Sequence, residues 1–219
     1  METRIAAVIG ASGLIGSAIV HELLQNSTYS EIRIITRRSL QFQHEHIREV
    51  IVDFENPVDY KKALEGCSAI YCAVGTTNKK VKGNKDAYRK VDYQIPVQAA
   101  QFGEELGIPY FTVVSSVGAN DKSSNFYLQL KGEMESKISQ FAIYQIAIFR
   151  PSMLLGKRNE FRLAEKMASI MFPVISFLFP SKYKPIQAHK VAKAMVQFGN
   201  QENKGIHILH YKEILNYCK

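Results

Sequence analysis

The chain predicts an α/β fold, a doubly wound and mainly parallel sheet flanked by helices, and three observations carry that reading. Short apolar runs alternate along the chain with longer segments of helical spacing. Runs such as Tyr110-Phe111-Thr112-Val113-Val114 are apolar almost throughout, as strands covered on both faces must be. The first run, Arg4 to Ile9, breaks into Gly10, Gly13 and Gly16 at three-residue spacing and then directly into a helical pattern.

In chain order, Ile5 to Ile9 give a strand at about 4–9, and Leu14, Ile15, Ala18, Ile19, Leu23 and Leu24 give a helix at about 14–25. Strands at about 32–36 and 48–52 follow, then a helix at about 58–64 opened by Pro57, and a strand at about 68–74 through Ala69-Ile70-Tyr71-Cys72. A long helix at about 86–106 contains Pro96, which should kink it, because proline removes a donor and crowds the carbonyl of Asp92. Beyond it come a strand at about 109–115, a helix at 126–140, a strand at 144–149, helices at 159–171 and 188–199, and a last strand at 205–209.

A length of 219 residues suits one domain spanning 1–219, with a small C-terminal extension at 156–185 as a lid or wall on the substrate side. The chain enters its first strand at once and has no leader-like segment, so a cytoplasmic location is expected. Cys67, Cys72 and Cys218 do not form a disulfide framework, which fits a reducing compartment. The pairs His44 with His46 and His207 with His210 lack the companions of a ligand set, so no metal is expected. The net charge of +8 is scattered among acidic residues without a nucleic-acid-binding motif, so no nucleic-acid partner is expected. Lys79, Lys80, Lys82 and Lys85 cluster in one polar loop, as a solvated loop or as a draw for an anionic substrate.

The glycine triplet has the form of a dinucleotide-phosphate grip. Gly10 turns the chain sharply out of its strand, Gly13 lets backbone N–H groups approach a pyrophosphate, and Gly16 lets the next helix pack on the sheet. The helix N-terminus then faces the phosphates with the positive end of its dipole, and Ser12, Leu14 and Ile15 complete the grip. An ordinary tight turn is the plainer reading, but the strand before and the helix after supply the context of a Rossmann fold.

NAD-binding folds place a carboxylate about twenty residues beyond the glycines to accept from the ribose 2′-hydroxyl. Here the region reads Ile34-Ile35-Thr36-Arg37-Arg38-Ser39. Two guanidiniums can clamp a 2′-phosphate, so NADP(H) is the expected cofactor, unless one of them merely faces solvent. Asp53 and Phe54 resemble the pair that flanks the adenine in such folds, although Asp53 would serve equally as the cap of the helix after Pro57. Ala73, Val74, Gly75 and Thr76 let the chain pass close to ribose and pyrophosphate.

Candidate chemistry lies at Ser115-Ser116 and at Tyr127-Leu128-Gln129-Leu130-Lys131. With eleven tyrosines and nineteen lysines, about one Tyr-x-x-x-Lys arises by chance, so position decides its value. It opens the helix that follows the serine pair, and residues four apart share a helix face. A phenol is a weak acid at neutral pH, and a fixed ammonium beside it brings its pKa toward the working range.

The chain resembles the short-chain dehydrogenase/reductases, in the atypical group of the Tat-interacting oxidoreductases, over nearly its whole length. The stretches that carry this are Gly10 to Gly16, Gly75-Thr76-Thr77, Ser115 to Ala119, Lys122 to Glu133, and Phe149-Arg150-Pro151 with Gly156 and Arg158. By that resemblance Ser116, with Ser115 as second choice, would bond a substrate carbonyl and Tyr127 would donate the proton. Lys131 would hold the nicotinamide ribose and tune Tyr127, while Pro151 and Met153 would lie against the nicotinamide. Many relatives carry an asparagine for proton relay where this chain has Asp92, which changes the charge of the site.

The apolar stretch 167–180 is too short for a membrane span and is interrupted by Pro173 and Pro180. It is expected as a wall of the substrate crevice; a peripheral membrane contact or a homodimer contact is the sharper alternative. The function expected is hydride transfer between NADP(H) and a small carbonyl or alcohol substrate. Two alternatives stand beside it: an NADPH-binding regulatory protein acting through a protein partner, and an epimerase or dehydratase that recycles its cofactor.

Overall fold

A computed structural model describes residues 4–77, 80–156 and 181–218. Seven strands form one sheet: β1 (Ile5–Ile9), β2 (Glu31–Thr36), β3 (Ile47–Ile51), β4 (Ala69–Cys72), β5 (Tyr110–Val114), β6 (Gln145–Phe149) and, last in the chain, β9 (Gly205–Leu209). Every neighbouring pair is parallel, in the order β3-β2-β1-β4-β5-β6-β9. The chain builds outward from β1 to β3, then crosses back to β4 and builds the other way. This reversal between β1 and β4 opens a crevice beyond the carboxyl ends of the strands.

Helices cover both faces. On one lie α1 (Leu14–Leu24), α6 (Ala188–Gly199) and α7 (Tyr211–Asn216), whose Ile15, Ile19, Leu23, Val191, Met195 and Ile214 pack on Ala6, Val8 and Ile34. On the other lie α2 (Pro57–Leu64), α4 (Ile95–Glu105) and α5 (Phe126–Ile138), whose Tyr60, Leu64, Phe102, Met134 and Ile138 pack on Ala7, Ile9 and Ile70. Coverage on both faces is why β1, β2, β4 and β6 have no polar alternation. The exception, Arg33 of β2, is buried and donates to the carbonyls of Ala63 and Glu65 at the end of α2. It satisfies backbone acceptors that a helix terminus leaves open.

Several features depart from the sequence reading. The helix expected at 86–106 is a composite of α3 (Lys85–Arg89), one π-turn (Lys90–Gln94) and α4. With no N–H on Pro96, the ladder shifts ahead of it, and Ile95 donates to Lys90 O, five residues back. The kink expected at Pro96 thus takes the form of a π-turn, and it brings Asp92 into the interior, where it is 2% exposed. Capping of α2 is the second departure. The Asn56 side chain accepts from Val58 N and Asp59 N, whereas the Asp53 carboxylate accepts from Glu55 N, ahead of the helix, so Asp53 is not the cap.

A short parallel pair unforeseen in the sequence, β7 (Leu154–Leu155) with β8 (Ile186–Gln187), brackets the segment assigned to the lid. The helix expected at 159–171 and the apolar stretch 167–180 lie outside the described residues, as does most of the extension 156–185. Among the described residues no helix is long and apolar enough to cross a membrane.

Candidate functional site

The site begins where β1 ends. Gly10 has φ +92°, a left-handed conformation open to glycine, and a Cβ there would lie 2.7 Å from the backbone of Ala73 and Val74. A Cβ on Gly16 would lie 2.1 Å from Gly10 O, so α1 sits against the turn as only glycine permits. Gly13 meets nothing closer than 3.2 Å. A side chain there would be tight against Gly10 O but would not collide with the backbone as at Gly10 and Gly16. No side chain caps the N-terminus of α1, so its first N–H groups face the crevice at the positive end of the dipole. Ser12 is exposed beside them, Ile15 is in the core, and Leu14 packs under Gly156, where a Cβ would lie 2.7 Å from its side chain. With no side-chain cap on the first turn of α1 among the described residues, this glycine cradle fits a dinucleotide pyrophosphate.

At the end of β2, Arg37 and Arg38 are both exposed, and neither is ion-paired among the described residues. Thr36 Oγ1 donates to Arg38 O and holds the backbone between them. Asp53 is exposed at the end of β3. Phe54 turns inward, edge-on to Tyr60 at 4.8 Å, so its ring belongs to the core. Ala73, Val74 and Thr76 are half-buried and Gly75 exposed along the end of β4, next to Gly10.

The Ser115-Ser116 bend is tied to β6 and its extension: Ser115 N donates to Phe149 O at 2.7 Å, and Val117 N to Pro151 O at 2.9 Å. Pro151 is buried and Met153 half-buried, with Met153 O accepting from Ile186 N. Ser116 Oγ is half-buried and donates to Val117 O at 3.3 Å. Ser115 Oγ is buried with no hydrogen-bond partner among the described residues.

Helix α5 delivers Tyr127 and Lys131. Asn125 caps it through Leu128 N, and Gly132 lets it press on the preceding loop, since a Cβ there would lie 2.2 Å from Asp121 N. Tyr127 is half-buried, with its ring 6.2 Å from that of Tyr88, whose hydroxyl donates to Thr76 O. The Lys131 side chain is 4% exposed; its ammonium lies 3.0 Å from Asp92 Oδ1 and 3.5 Å from Val114 O. Burial alone would push this ammonium down, but Asp92 and Tyr127 beside it reverse the sign and hold it above the usual lysine value. The second Asp92 oxygen, Oδ2, accepts from Thr76 N at 2.8 Å.

The structure thus gathers Tyr127, Lys131 and the Thr76 backbone into one constellation at the carboxyl end of the sheet, with the cradle on its β1 side. Sequence reading missed how much rests on Asp92, Tyr88 and Gly132. The signals available were the Pro96 register shift for Asp92 and the glycine that follows Lys131. It also missed Arg150, which forms a forked ion pair with the buried Glu135 and ties the end of β6 to α5. Of the lysine cluster, Lys79 lies outside the described residues, and Lys85 sits over the Phe126 ring at 5.3 Å.

Residues 10–159 match the family described as NAD(P)H-binding. The chain is 31% identical to Protein HTATIP2 of Rattus norvegicus over 223 residues, covering 100% of this chain and 91% of that protein. It is 29% identical over 202 residues to the mitochondrial Protein FMP52 of Debaryomyces hansenii, covering 90% and 88% of the two chains. Among solved structures it resembles MoeE5 in complex with UDP-glucose and NAD, with TM-score 0.71 at 15% identity over 97% of this chain and 80% of that one. A UDP-glucose 4-epimerase of Thermotoga maritima gives TM-score 0.70 at 13% identity over 94% and 76%. At such identities these structures speak for the Rossmann-like fold alone. With the glycine cradle intact and the match running the length of the chain, the protein belongs to the NAD(P)H-binding family, among the relatives of HTATIP2.

Proposed function

We propose that the protein is an NADP(H)-dependent oxidoreductase of the short-chain dehydrogenase/reductase kind, acting on a small carbonyl or alcohol substrate. One observation carries the reading most: a buried lysine, kept charged, on the same helix face as a half-buried tyrosine at the mouth of a dinucleotide cradle. A purely structural lysine has no need of that place, since burying an ammonium is costly and an apolar side chain would serve the core better.

Gly10, Gly13 and the first turn of α1 would hold the pyrophosphate, Arg37 and Arg38 the 2′-phosphate, and Lys131 the nicotinamide ribose. Bound there, NADPH would supply the hydride, and NADP would accept it in the reverse direction. Ser116 Oγ holds the substrate oxygen by a hydrogen bond, giving up its bond to Val117 O. Tyr127 Oη passes its proton to that oxygen as negative charge develops on it. The Lys131 ammonium stabilises the phenolate left behind, because a cation one helical turn away favours the charged form. The cytoplasm is proposed as the site of action; the free thiols of Cys67, Cys72 and Cys218 fit it as they fit any reducing compartment. Several fungal relatives are named mitochondrial, and cell fractionation decides between the two for this chain.

The test is Tyr127→Phe, which removes one hydroxyl and keeps the ring against Tyr88. With a carbonyl panel and NADPH, turnover should fall by about 10²- to 10⁴-fold, while NADPH affinity stays nearly the same. Activity that survives the substitution overturns the reading. Product formed with no net NADPH consumption would instead establish the epimerase or dehydratase chemistry.

A further inference from the structure

We propose that Asp92 is the positioning residue of this site: one carboxylate that fixes the Lys131 ammonium with Oδ1 and the Gly75–Thr76 loop with Oδ2, so that the ribose-binding lysine and the strand-end loop are set as a unit. The proposal rests on Lys131 facing the cofactor, the role assigned to it above.

The geometry is specific. Asp92 is 2% exposed and makes both contacts within the interior, 3.0 Å to Lys131 Nζ and 2.8 Å from Thr76 N. Gly75 also closes on it, since a Cβ there would lie 3.4 Å from Oδ1. Nothing in a regular helix demands this arrangement. Asp92 lies inside the π-turn, a conformation that interrupts the regular ladder and that recurs at functional sites. Tyr88, one turn earlier, reaches the same loop through Thr76 O, so the amide N–H and the carbonyl of Thr76 are both held by this composite helix.

An asparagine of the same shape could accept from Thr76 N, but it could not offset the buried charge of Lys131. The groups that face that ammonium are few: Asp92 from the π-turn, Tyr127 from its own helix, and Cys72 from β4. Burial pushes the Cys72 thiol up to about 12, so it is neutral near pH 7 and gives no compensation there. Among the described residues Asp92 alone is thus available as the full counter-charge. Without it, desolvation is the largest influence left on Lys131, and it favours the neutral amine.

Two measurements that need no turnover decide the matter. In the wild-type protein, the ¹³Cε resonance of Lys131 followed by NMR should show an ammonium still protonated at pH 10; a titration midpoint below that overturns the proposal without any variant. NADPH affinity is then measured by fluorescence between pH 6 and pH 10 for wild type, Asp92→Asn and Asp92→Glu, with far-UV circular dichroism confirming that each is folded. Wild type should bind with little pH dependence above about pH 7, where the 2′-phosphate is fully ionised, and the change below that is shared by all three proteins. Asp92→Asn should bind within a few-fold of wild type at pH 6 and lose at least tenfold by pH 9, as Lys131 releases its proton. Asp92→Glu should restore the flat profile, because it restores the charge. Asp92→Asn binding that runs parallel to wild type at every pH would show that the carboxylate serves packing alone, and would overturn the proposal. Because these readouts concern binding and protonation, failure of Tyr127→Phe to affect turnover would reject the hydride-transfer reading and leave this one standing.

Discussion

At the scale of single residues, the three glycines of the first turn have separable duties, and substitution should separate them. Gly16→Ala forces a methyl into the Gly10 carbonyl at 2.1 Å, backbone against backbone, so α1 must lift off the sheet. Overpacking of this kind typically costs about 1–3 kcal/mol, and a thermal melt should show the loss with or without cofactor. Gly13→Ala meets Gly10 O at 3.2 Å and Ala73 O at an ordinary 3.8 Å, so a shift of a few tenths of an ångström is what it asks of the turn. We predict a melting temperature close to wild type but NADPH affinity reduced at least tenfold, measured by calorimetry. Equal affinity would mean that the ligand does not approach the backbone at Gly13.

At the scale of elements, short polar devices hold the loops that surround the crevice. Glu49 of β3 is the clearest: its carboxylate accepts from Leu40 N, Phe42 N and Ser39 Oγ, pinning the segment after Arg37 and Arg38. The backbone bond from Phe42 first, and that from the Ser39 hydroxyl next, hold the Glu49 carboxyl below its ordinary value of 4.5. A depressed folded-state pKa contributes stability that is present above the unfolded value and is lost as pH falls through the folded one. Glu49→Gln should therefore melt below wild type at pH 7, and the gap should close on acidification below pH 4.5. A gap that stays constant with pH would show that the carboxylate charge has no part in holding the loop. The π-turn belongs to this scale too, because one proline in a long helix sets which face of the preceding turn points inward.

At the scale of the molecule, the reversal of strand order places the Arg37-Arg38 end of β2 on one side of the crevice and the Tyr127–Lys131 face of α5 on the other. An extended dinucleotide has the form to bridge them. Binding to the folded state alone raises stability by RT ln(1 + [L]/Kd), about 2.7 kcal/mol at a ligand concentration one hundred times Kd. At equal concentrations NADPH should therefore raise the melting temperature more than NADH, and the double substitution Arg37→Ala with Arg38→Ala should abolish the difference. A larger shift with NADH would reverse the cofactor assignment.

The sequence alone determined the layered parallel architecture, because strands buried on both faces must be continuously apolar and helices between them must show a 3.6-residue period. It also determined the glycine cradle and the pairing of Tyr127 with Lys131, both of which depend on residues within a few positions of each other. The π-turn could not be read there, since a proline announces a disturbed helix but not the register the helix adopts. Nor could the bond from Asp92 to Thr76, which joins residues 16 apart on separate elements, or the pair Arg150–Glu135, which joins β6 to α5. That Asn56 and not Asp53 caps α2 could not be read there either: both stand shortly before Pro57, both can cap, and only the path of the backbone chooses between them. What acts within one helical turn or one strand was legible along the chain. What depends on which elements become neighbours was decided by the tertiary structure, because packing, and not local spacing, selects the partner of each buried charge.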